Sequence, residues 1–342
     1  MTEDILKLRI EQIKWETPDT ATFYLDNISG EPVKYKAGQF VTLIFNHRNE
    51  EIRRSYSLSS SPDEPRLSVT IKRITNGEIS RFMLTKMKVG DTLNALAPAG
   101  RFTINRYEQD KDILLFAGGS GITPILSQIK YVLNRPGNSR LTLIYSNQDA
   151  NSILFKTELE LLVTQHPERF KITHLLSSEA NRLNADRVEE LTRQIVPVGL
   201  DKAEFYLCGP FPYMRMIRFA LVYMGIEPGR IRKENFVLET VAVTRTAINF
   251  SPRNIRIKFR NELHDLAVGE NQSILQAALQ NNVPLPYSCR NGVCSTCTAK
   301  CFSGKVEMIK NDVLTDADIA DGWILTCTGH PVSDDVVIVF GE

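Results

Sequence analysis

Up to about Phe102 the apolar and polar positions alternate in short segments, such as residues 21–25, 39–43 and 67–71, broken by glycine and proline. Period-two alternation between frequent turn residues predicts an antiparallel barrel or sandwich. From Ile113 the rhythm changes to strand, helix, strand, helix. Apolar runs at 113–117, 141–145, 171–175 and 204–208 recur at about the repeat length of a βαβ unit, which predicts a parallel sheet. Between the first two, Ile125, Leu126, Ile129, Val132 and Leu133 stand at helical spacing behind Pro124, a favoured first-turn residue. A further helix runs through 214–221 and stops near Gly225. Beyond Phe236 the pattern weakens to about Arg253, as in a linker, and one clear helix follows across 273–282. The expected organisation is a β-barrel domain at 1–105, an α/β domain at 106–236, a linker at 237–252 and a third domain at 253–342.

A chain of 342 residues is long enough for two or three domains. It is 42% hydrophobic and 24% charged, begins Met1, Thr2, Glu3, Asp4 without an apolar signal segment, and has no run approaching the ~20 apolar residues of a membrane span. A cytoplasmic location without a membrane span is expected. Net charge is +1, but residues 261–342 carry eleven acids and four bases, a net −7 that leaves +8 for the rest. An acidic module on a mildly basic remainder suits docking, although charge runs also serve simply as solvated faces. Nothing in the sequence supports a nucleic-acid partner, a hydrolase or a transcription factor.

The most specific chemistry lies near the C-terminus. Cys289, Cys294, Cys297 and Cys327 follow the order Cys-x4-Cys-x2-Cys, then 29 residues, then Cys. This is the plant-type spacing of a [2Fe-2S] cluster. The first three share one loop of short residues, in which Gly292 permits unusual dihedrals. The fourth comes from a distant segment, as expected where a second strand closes the site. Structural zinc usually takes two close cysteine pairs, and disulfides suit small secreted scaffolds, so the three-plus-one arrangement favours the cluster. Cys301 fits packing better than ligation.

The turn after the first parallel strand reads Gly118, Gly119, Ser120, Gly121, Ile122, Thr123, Pro124. Glycines between a strand and a helix start let backbone N–H groups approach a pyrophosphate at the positive end of the helix dipole. Pro124 stands where the third glycine of the dinucleotide fingerprint would be, and the turn is not the elbow of a hydrolase nucleophile. The fourth strand ends in Cys208, Gly209 and Pro210, which puts a thiol at the carboxyl edge of the sheet, where open α/β folds bind ligands. An inert buried cysteine is the alternative.

Together these segments resemble the ferredoxin-NADP reductase superfamily, and the whole chain resembles its three-domain oxygenase reductases. Arg54, Ser55, Tyr56 and Ser57 match the family's R-x-Y-S flavin motif. The resemblance implies that Arg54 pairs with a flavin phosphate, Tyr56 lies against the isoalloxazine and Ser57 hydrogen-bonds the hydride-accepting nitrogen. A guanidinium fork suits phosphate. Thr70, Ile71, Lys72 and Arg73, followed by Gly77, Glu78, Ile79 and Ser80, match the second flavin segment, which leads into a short helix that receives the pyrophosphate. FMN-holding relatives usually carry an extra arginine in that turn, and none stands between Thr75 and Ser80, so FAD is expected.

The resemblance also implies that residues 119–124 cradle NAD(P)H, with Ser120 and Thr123 near nicotinamide and flavin, and that Cys208, Gly209 and Pro210 border the hydride-donating ring. Residues 231–236 look like the family's segment ending in Glu-x-Phe, which would bring Phe236 near the exposed flavin face. Core packing is its alternative. Ser57, Cys208 and Phe236 are the expected catalytic residues. Ser146 and Asn147 end the second parallel strand, where the adenosine ribose is expected. Gln148 stands where many relatives carry an arginine able to pair with a 2′-phosphate, and Asp149 would repel one. The balance tilts to NADH, with Lys156 as the residue most able to reverse it. The C-terminal domain is implied to be a β-grasp ferredoxin. Residues 304–308 and 325–327 look like the reductase component of phenylacetyl-CoA epoxidase and kindred ring-hydroxylating systems.

A nicotinamide delivers two electrons as hydride whereas the cluster takes one at a time, so a flavin must stand between them. The expected order is NAD(P)H, FAD, [2Fe-2S] cluster and then an oxygenase or hydroxylase component. The five histidines need no catalytic role, and none has the Cys-x-His pairing of a Rieske site. The alternative is an electron-transfer or redox-sensing subunit serving a non-oxygenase enzyme. The complete motifs at 119–124 and 208–210 favour the reductase.

Overall fold

A computed structural model describes residues 5–47, 50–104, 110–236 and 249–340. The chain divides into two compact units, Ile5–Phe236 and the residues from Val237 onward. In the first unit, β1 (Ile5–Thr17), β2 (Thr20–Asn27), β3 (Phe40–His47), β4 (Glu50–Ser57), β5 (Leu67–Lys72) and β6 (Thr92–Ala99) form an antiparallel sheet of order β4-β3-β6-β1-β2-β5, with α1 (Glu78–Lys86) inserted before β6. The alternation read from the sequence becomes a barrel interior: Leu8, Ile10, Phe23, Leu25, Val41, Leu43, Val69 and Ile71 are all buried. An antiparallel bridge between Leu58 and Val69 joins the two edge strands, so the sheet closes. Closure removes the free edges that invite aberrant strand pairing.

The same unit continues through β7 (Asp112–Gly118), α2 (Ile122–Leu133), β8 (Arg140–Asn147), α3 (Lys156–Gln165), β9 (Phe170–Leu176), α4 (Ala185–Ile195), β10 (Glu204–Cys208), α5 (Phe211–Tyr223) and β11 (Ile231–Glu234). The five strands pair in parallel in the order β11-β10-β7-β8-β9. One apolar cluster, including Ile125, Leu126 and Ile129 of α2 with Leu159 of α3, covers one face of the sheet. Another, including Val188 and Leu191 of α4 with Ile217 and Leu221 of α5, covers the other. Double burial explains why residues 113–117 are uninterruptedly apolar. The winding reverses between β7 and β10, which creates the crevice at a topological switch point where such sheets bind ligands.

The C-terminal unit contains β12 (Arg253–Phe259), β13 (Glu262–Val268), α6 (Ile274–Gln280), β14 (Thr298–Ser303), β15 (Val306–Met308), α7 (Asp316–Ala320), β16 (Trp323–Leu325), β17 (Gly329–Pro331) and β18 (Val337–Val339). A mixed sheet of order β13-β12-β18-β14-β16, with α6 packed against it and β15 and β17 paired separately, gives the β-grasp arrangement. α6 is shorter than the span 273–282, because Ser273 is its N-cap in a reciprocal box with Gln276, and Asn281 and Asn282 close it. That box contributes about 1 kcal/mol. α7 escaped the sequence pattern because five residues are too few to display a helical period. Cys301 packs beside the β-grasp core.

The expected boundary at 105/106 and residues 237–248 of the expected linker lie outside the described residues. Phe250, at the linker's far end, is tied to the C-terminal unit: its N–H donates to Asn271 Oδ1 at 2.9 Å and its ring stacks on His330 at 4.1 Å. Among the described residues no helix is long and apolar enough to cross a membrane.

One acid is costly to this fold. Glu234, paired with Cys208 in the register of β11 on β10, is buried, and burial pushes its carboxyl up to about 8. Between its ordinary 4.5 and 8 the folded chain keeps a proton that the unfolded chain loses, so stability falls as pH rises through that window. Glu234→Gln should flatten this dependence, worth on the order of a few kcal/mol. Thermal melts from pH 5 to 8.5 test it: the variant should lose less Tm than the parent, and equal losses would mean that the acid is not held protonated.

Candidate functional site

The flavin motif lies on β4. Arg54 is exposed, with Nη1 donating to the Arg53 carbonyl at 2.8 Å, and Ser57 is buried at the strand end. Tyr56 packs beside the barrel core, and burial pushes its phenol up to about 12 against the opposing pull of Arg54, so the hydroxyl stays protonated. Ser55 shares a 3.0 Å hydrogen bond with Thr42.

The second flavin segment is arranged differently from what its motif suggests. The Thr70 hydroxyl is bonded to Thr22 at 2.9 Å and Ser59 at 3.0 Å, and Ile71 and Ile79 are core residues. Lys72 pairs with Asp19 at 3.6 Å. The Ser80 hydroxyl accepts from the Ile74 N–H at 3.1 Å and donates to the Gly77 carbonyl at 3.2 Å, which folds the turn before α1. A Cβ on Gly77 would fall 2.6 Å from Ser80 Oγ. These side chains are consumed in building the site. No side chain caps α1, so the N–H groups of its first turn, beginning at Glu78, are what the segment offers a phosphate. An exposed guanidinium and an uncapped helix start fit the pyrophosphate of FAD.

The nicotinamide loop sits at the switch point. Gly119 and Gly121 bound a single 3-10 turn between β7 and α2, Gly119 has φ +53°, and Thr123 Oγ1 donates to the Ser120 carbonyl at 2.9 Å. A Cβ on Gly121 would lie 2.1 Å from the Cys208 carbonyl oxygen, and one on Gly118 would lie 2.9 Å from Pro210 Cδ. The structure thus brings residues 119–124 and Cys208, Gly209 and Pro210 together. Ser146 joins them: its hydroxyl donates to Tyr213 Oη at 3.4 Å, and Tyr213 donates to the Ala117 carbonyl at 3.2 Å. Asn147 ends β8 buried, and neither atom of its side-chain amide has a hydrogen-bond partner. An orphaned amide at the carboxyl edge of the sheet fits a polar ligand such as a ribose.

Cys208 is fully buried within the core of this domain, and burial holds its thiol well above the ordinary value. What faces the glycine loop is its carbonyl. Phe236, two residues past β11, is 42% exposed and belongs to none of the hydrophobic clusters, so core packing does not account for it. Sequence reasoning used Glu234 only as the acid of the Glu-x-Phe segment and missed its burial beside Cys208, which nothing in the charged run Arg232, Lys233, Glu234 signals.

In the C-terminal unit the four cysteines converge. Cys289 lies within hydrogen-bonding reach of Cys294 and Cys327, and Cys297 within reach of Cys327. All are free thiols. The Cys289 N–H points at Cys294 Sγ at 3.4 Å, and the Asn291 N–H at Cys289 Sγ at 3.3 Å. The loop is wound by left-handed backbone at Arg290, Gly292 and Ser295. Gly292 is enforced, since a Cβ there would meet the Lys310 carbonyl at 2.6 Å. Leu314, Leu325 and Met308 wall the thiols on one side. Hydrogen bonds from Cys294 and then Cys327 hold the Cys289 thiol low, a bond from Cys327 does the same for Cys297, and Cys294 and Cys327 are held high in return. Four convergent soft donors suit an iron-sulfur cluster, which takes them as thiolates.

Residues 7–104 match the oxidoreductase FAD-binding domain family, 115–219 the oxidoreductase NAD-binding domain family and 260–332 the 2Fe-2S iron-sulfur cluster binding domain family. The chain is 33% identical to the ferredoxin reductase component of 3-ketosteroid-9-alpha-monooxygenase from Rhodococcus rhodochrous, over 97% of this chain and 96% of that one. It is 31% identical to one component chain of the 1,2-phenylacetyl-CoA epoxidase from Escherichia coli (strain K12), over 97% of each. Among solved structures, phthalate dioxygenase reductase has a like fold, with TM-score 0.62 and 24% identity over 98% of both chains. Three domain matches in the order the fold displays, and relatives of this identity along nearly the whole length, place the chain in a family: it belongs to the three-domain oxygenase reductases of the ferredoxin-NADP reductase superfamily, oxidoreductases with FAD-binding, NAD-binding and 2Fe-2S domains.

Proposed function

We propose that this reductase takes hydride from NADH at the crevice between β7 and β10 and delivers single electrons through Cys289, Cys294, Cys297 and Cys327 to an oxygenase of the ring-hydroxylating or phenylacetyl-CoA type, in the cytoplasm. The observation that carries this reading is the convergence of the four thiols on a chain that also holds a backbone-only nucleotide loop. Six free thiols agree with a reducing compartment. Bound FAD supplies the conversion of a two-electron hydride into single electrons. Arg54 and the first turn of α1 would hold its phosphates, Tyr56 would cover the flavin ring, and Ser57 would offer it a hydroxyl. Phe236 keeps water from the exposed face until nicotinamide replaces it. Cys208, its thiol enclosed in the domain core and kept protonated by burial, presents its carbonyl to the glycine turn and would add no charge there.

Residues 119–124 take the pyrophosphate and nicotinamide, and Asn147 the adenosine ribose. Asp149 decides between the two nicotinamides. Its carboxylate accepts from the N–H groups of Asn151 at 2.9 Å and Ser152 at 3.0 Å, in a reciprocal box that stops it swinging away from a 2′-phosphate. An acidic docking face would include Asp312, Asp316, Asp318 and Asp321: Asp312 pairs with Lys310 at 3.5 Å, Asp321 with Lys300 at 3.1 Å, and Asp318 closes the reciprocal box with Thr315 at the start of α7. Asp316 opens α7 beside them, and a basic partner surface would meet a module whose net −7 already counts Lys300 and Lys310.

Cys294→Ser tests the relay. It should abolish the cluster's visible absorption and NADH-driven cytochrome c reduction while leaving flavin reduction and direct ferricyanide reduction largely intact, because residues 5–236 form a compact unit of their own. A folded variant whose flavin is no longer reduced would overturn that independence. For the nicotinamide, kcat/KM should be at least about tenfold higher with NADH, equivalent to about 1.4 kcal/mol. Asp149→Asn, which keeps a capping oxygen but removes the charge, should narrow the ratio, and an unchanged ratio would clear Asp149 of the role. Turnover with the oxygenase should fall as salt rises from about 0.01 to about 0.15 M, where the Debye length shrinks from about 30 to about 8 Å, while NADH-to-ferricyanide activity stays nearly constant. Equal responses would remove the acidic face from docking.

A further inference from the structure

One helix belongs both to the nucleotide site and to the junction with the flavin barrel. α2 begins directly behind the glycine turn, with Ile122, Thr123 and Pro124 as its first residues, and its outer part is fastened to the barrel domain by four side chains. Ser127 Oγ donates to the Ser60 carbonyl at 2.5 Å, and Gln128 Nε2 donates to the Phe102 carbonyl at 2.7 Å, both bonds buried. Lys130 pairs with Glu64 at 2.7 Å, and the guanidinium of Arg135, just beyond the helix, grips Asp63 with bonds of 2.6 and 2.9 Å. Three of the residues gripped, Ser60, Asp63 and Glu64, follow the flavin strand, and the fourth, Phe102, follows β6. Ser57 ends β4, Leu58 bridges to Val69, and Ser60 is itself fixed by Tyr35 Oη at 2.8 Å and the Ser68 N–H at 2.9 Å. The chain that carries the flavin motif is therefore joined to the helix that carries the nicotinamide loop within three residues of Ser57.

Two details separate this junction from ordinary packing. Gly38, at φ +94°, has no room for a Cβ, which would lie 2.1 Å from the Phe102 carbonyl oxygen and 2.5 Å from Gln128 Nε2. The backbones are drawn together around the Gln128 amide. Meanwhile Gln128 Oε1 is buried without a partner while Nε2 satisfies the buried Phe102 carbonyl, so exchanging the amide for a methionine of similar length removes one desolvated acceptor and leaves another. Stability alone does not account for an amide at this position.

We infer that Ser127 and Gln128 are positioning residues for hydride transfer, clamping α2 to the flavin domain so that the nicotinamide loop stands at a fixed approach to the flavin. The inference rests on the reading of residues 119–124 as the nicotinamide loop and of β4 as the flavin strand. Hydride transfer is short-ranged, and a misplacement of about 1 Å can cost on the order of a hundredfold in rate. The clamp acts on the rate of the chemical step and leaves nucleotide affinity to residues 119–124 and 147.

The test is anaerobic stopped-flow reduction of the FAD-loaded protein over a range of NADH concentrations, with Gln128→Met and Ser127→Ala beside the parent. Gln128→Met should lower the limiting rate of flavin reduction by about tenfold, with the NADH dissociation constant little changed, FAD content retained and Tm close to that of the parent. Ser127→Ala should slow the same step. In both, the primary isotope effect with 4-deuterated NADH should persist, showing that the slowed step is hydride transfer. Arg135→Gln, a surface change that spares the buried bonds, should slow reduction less than either and keeps the question answerable if a buried variant misfolds. Unchanged limiting rates in well-folded Gln128→Met and Ser127→Ala would overturn the clamp. So would a weaker NADH affinity at an unchanged rate, or a slowdown that merely tracks a falling Tm. If the parent's flavin is reduced by no nicotinamide at all, the underlying assignment of the loop fails instead.

Discussion

Between the carboxyl ends of β7 and β10 there is no room for a side chain. A Cβ on Gly121 would sit 2.1 Å from the Cys208 carbonyl oxygen, and Gly209 is pressed against Gly118 so closely that its own Cβ would come within 3.1 Å of the Gly118 backbone. Much of the reductase half depends on this contact. Because the two strand ends touch, the crevice above them is floored by backbone, which suits an anionic pyrophosphate that seeks N–H groups. Because the turn is only three residues long, α2 must leave the sheet in one direction, and that direction carries Ser127 and Gln128 onto the flavin domain. The thiol of Cys208 and the carboxyl of Glu234, paired across β10 and β11, are enclosed and held protonated by burial, so neither adds negative charge below the glycine turn.

The cluster loop obeys the same rule by other means. Three ligands within nine residues can converge only if the backbone reverses repeatedly, and left-handed conformations at Arg290, Gly292 and Ser295 accomplish this. Such residues are strained unless their surroundings hold them. Here the Asp312 N–H donates to the Gly292 carbonyl at 3.0 Å, and the Thr326 N–H and hydroxyl both donate to the Cys297 carbonyl at 3.1 Å. The second of these contacts fixes Cys327 one residue away, so the hydrogen bond that supports the loop also brings the fourth cysteine to the other three.

Periodicity made the architecture legible, because each domain buries its strands in a characteristic way. One-sided burial in the barrel produced alternation, and two-sided burial in the parallel sheet produced unbroken apolar runs. The cysteine spacing was equally legible, since cluster chemistry fixes it directly. What sequence could not give was the allocation of hydrogen bonds. Thr70 and Ser80 carry a flavin motif's residue types, yet their hydroxyls are engaged with Thr22, Ser59, Ile74 and Gly77. Likewise a sum over the sequence gives the net charge but not the pairing, in which Asp312 lies against Lys310 and Asp321 against Lys300. Ser127 and Gln128 sat inside a well-read helix, where a polar residue is indistinguishable from a solvated one until its partner in another domain is known. Short α7 was invisible for want of a period.

The division into two compact units follows from the range of each transfer step. Hydride moves only between atoms in near contact, so flavin and nicotinamide domains must be mutually fixed, and residues 5–236 form one unit with buried hydrogen bonds and ion pairs between its halves. Single electrons tunnel across gaps that no hydride can cross, so a cluster domain need not be fastened with the same precision to do its work. A β-grasp unit with its own core and its own cap-stabilised helices can remain folded without sharing a core with the reductase half. The same reasoning explains where side-chain bonds were invested. They are dense where geometry must hold to a fraction of an ångström, and between the halves that exchange hydride they are buried.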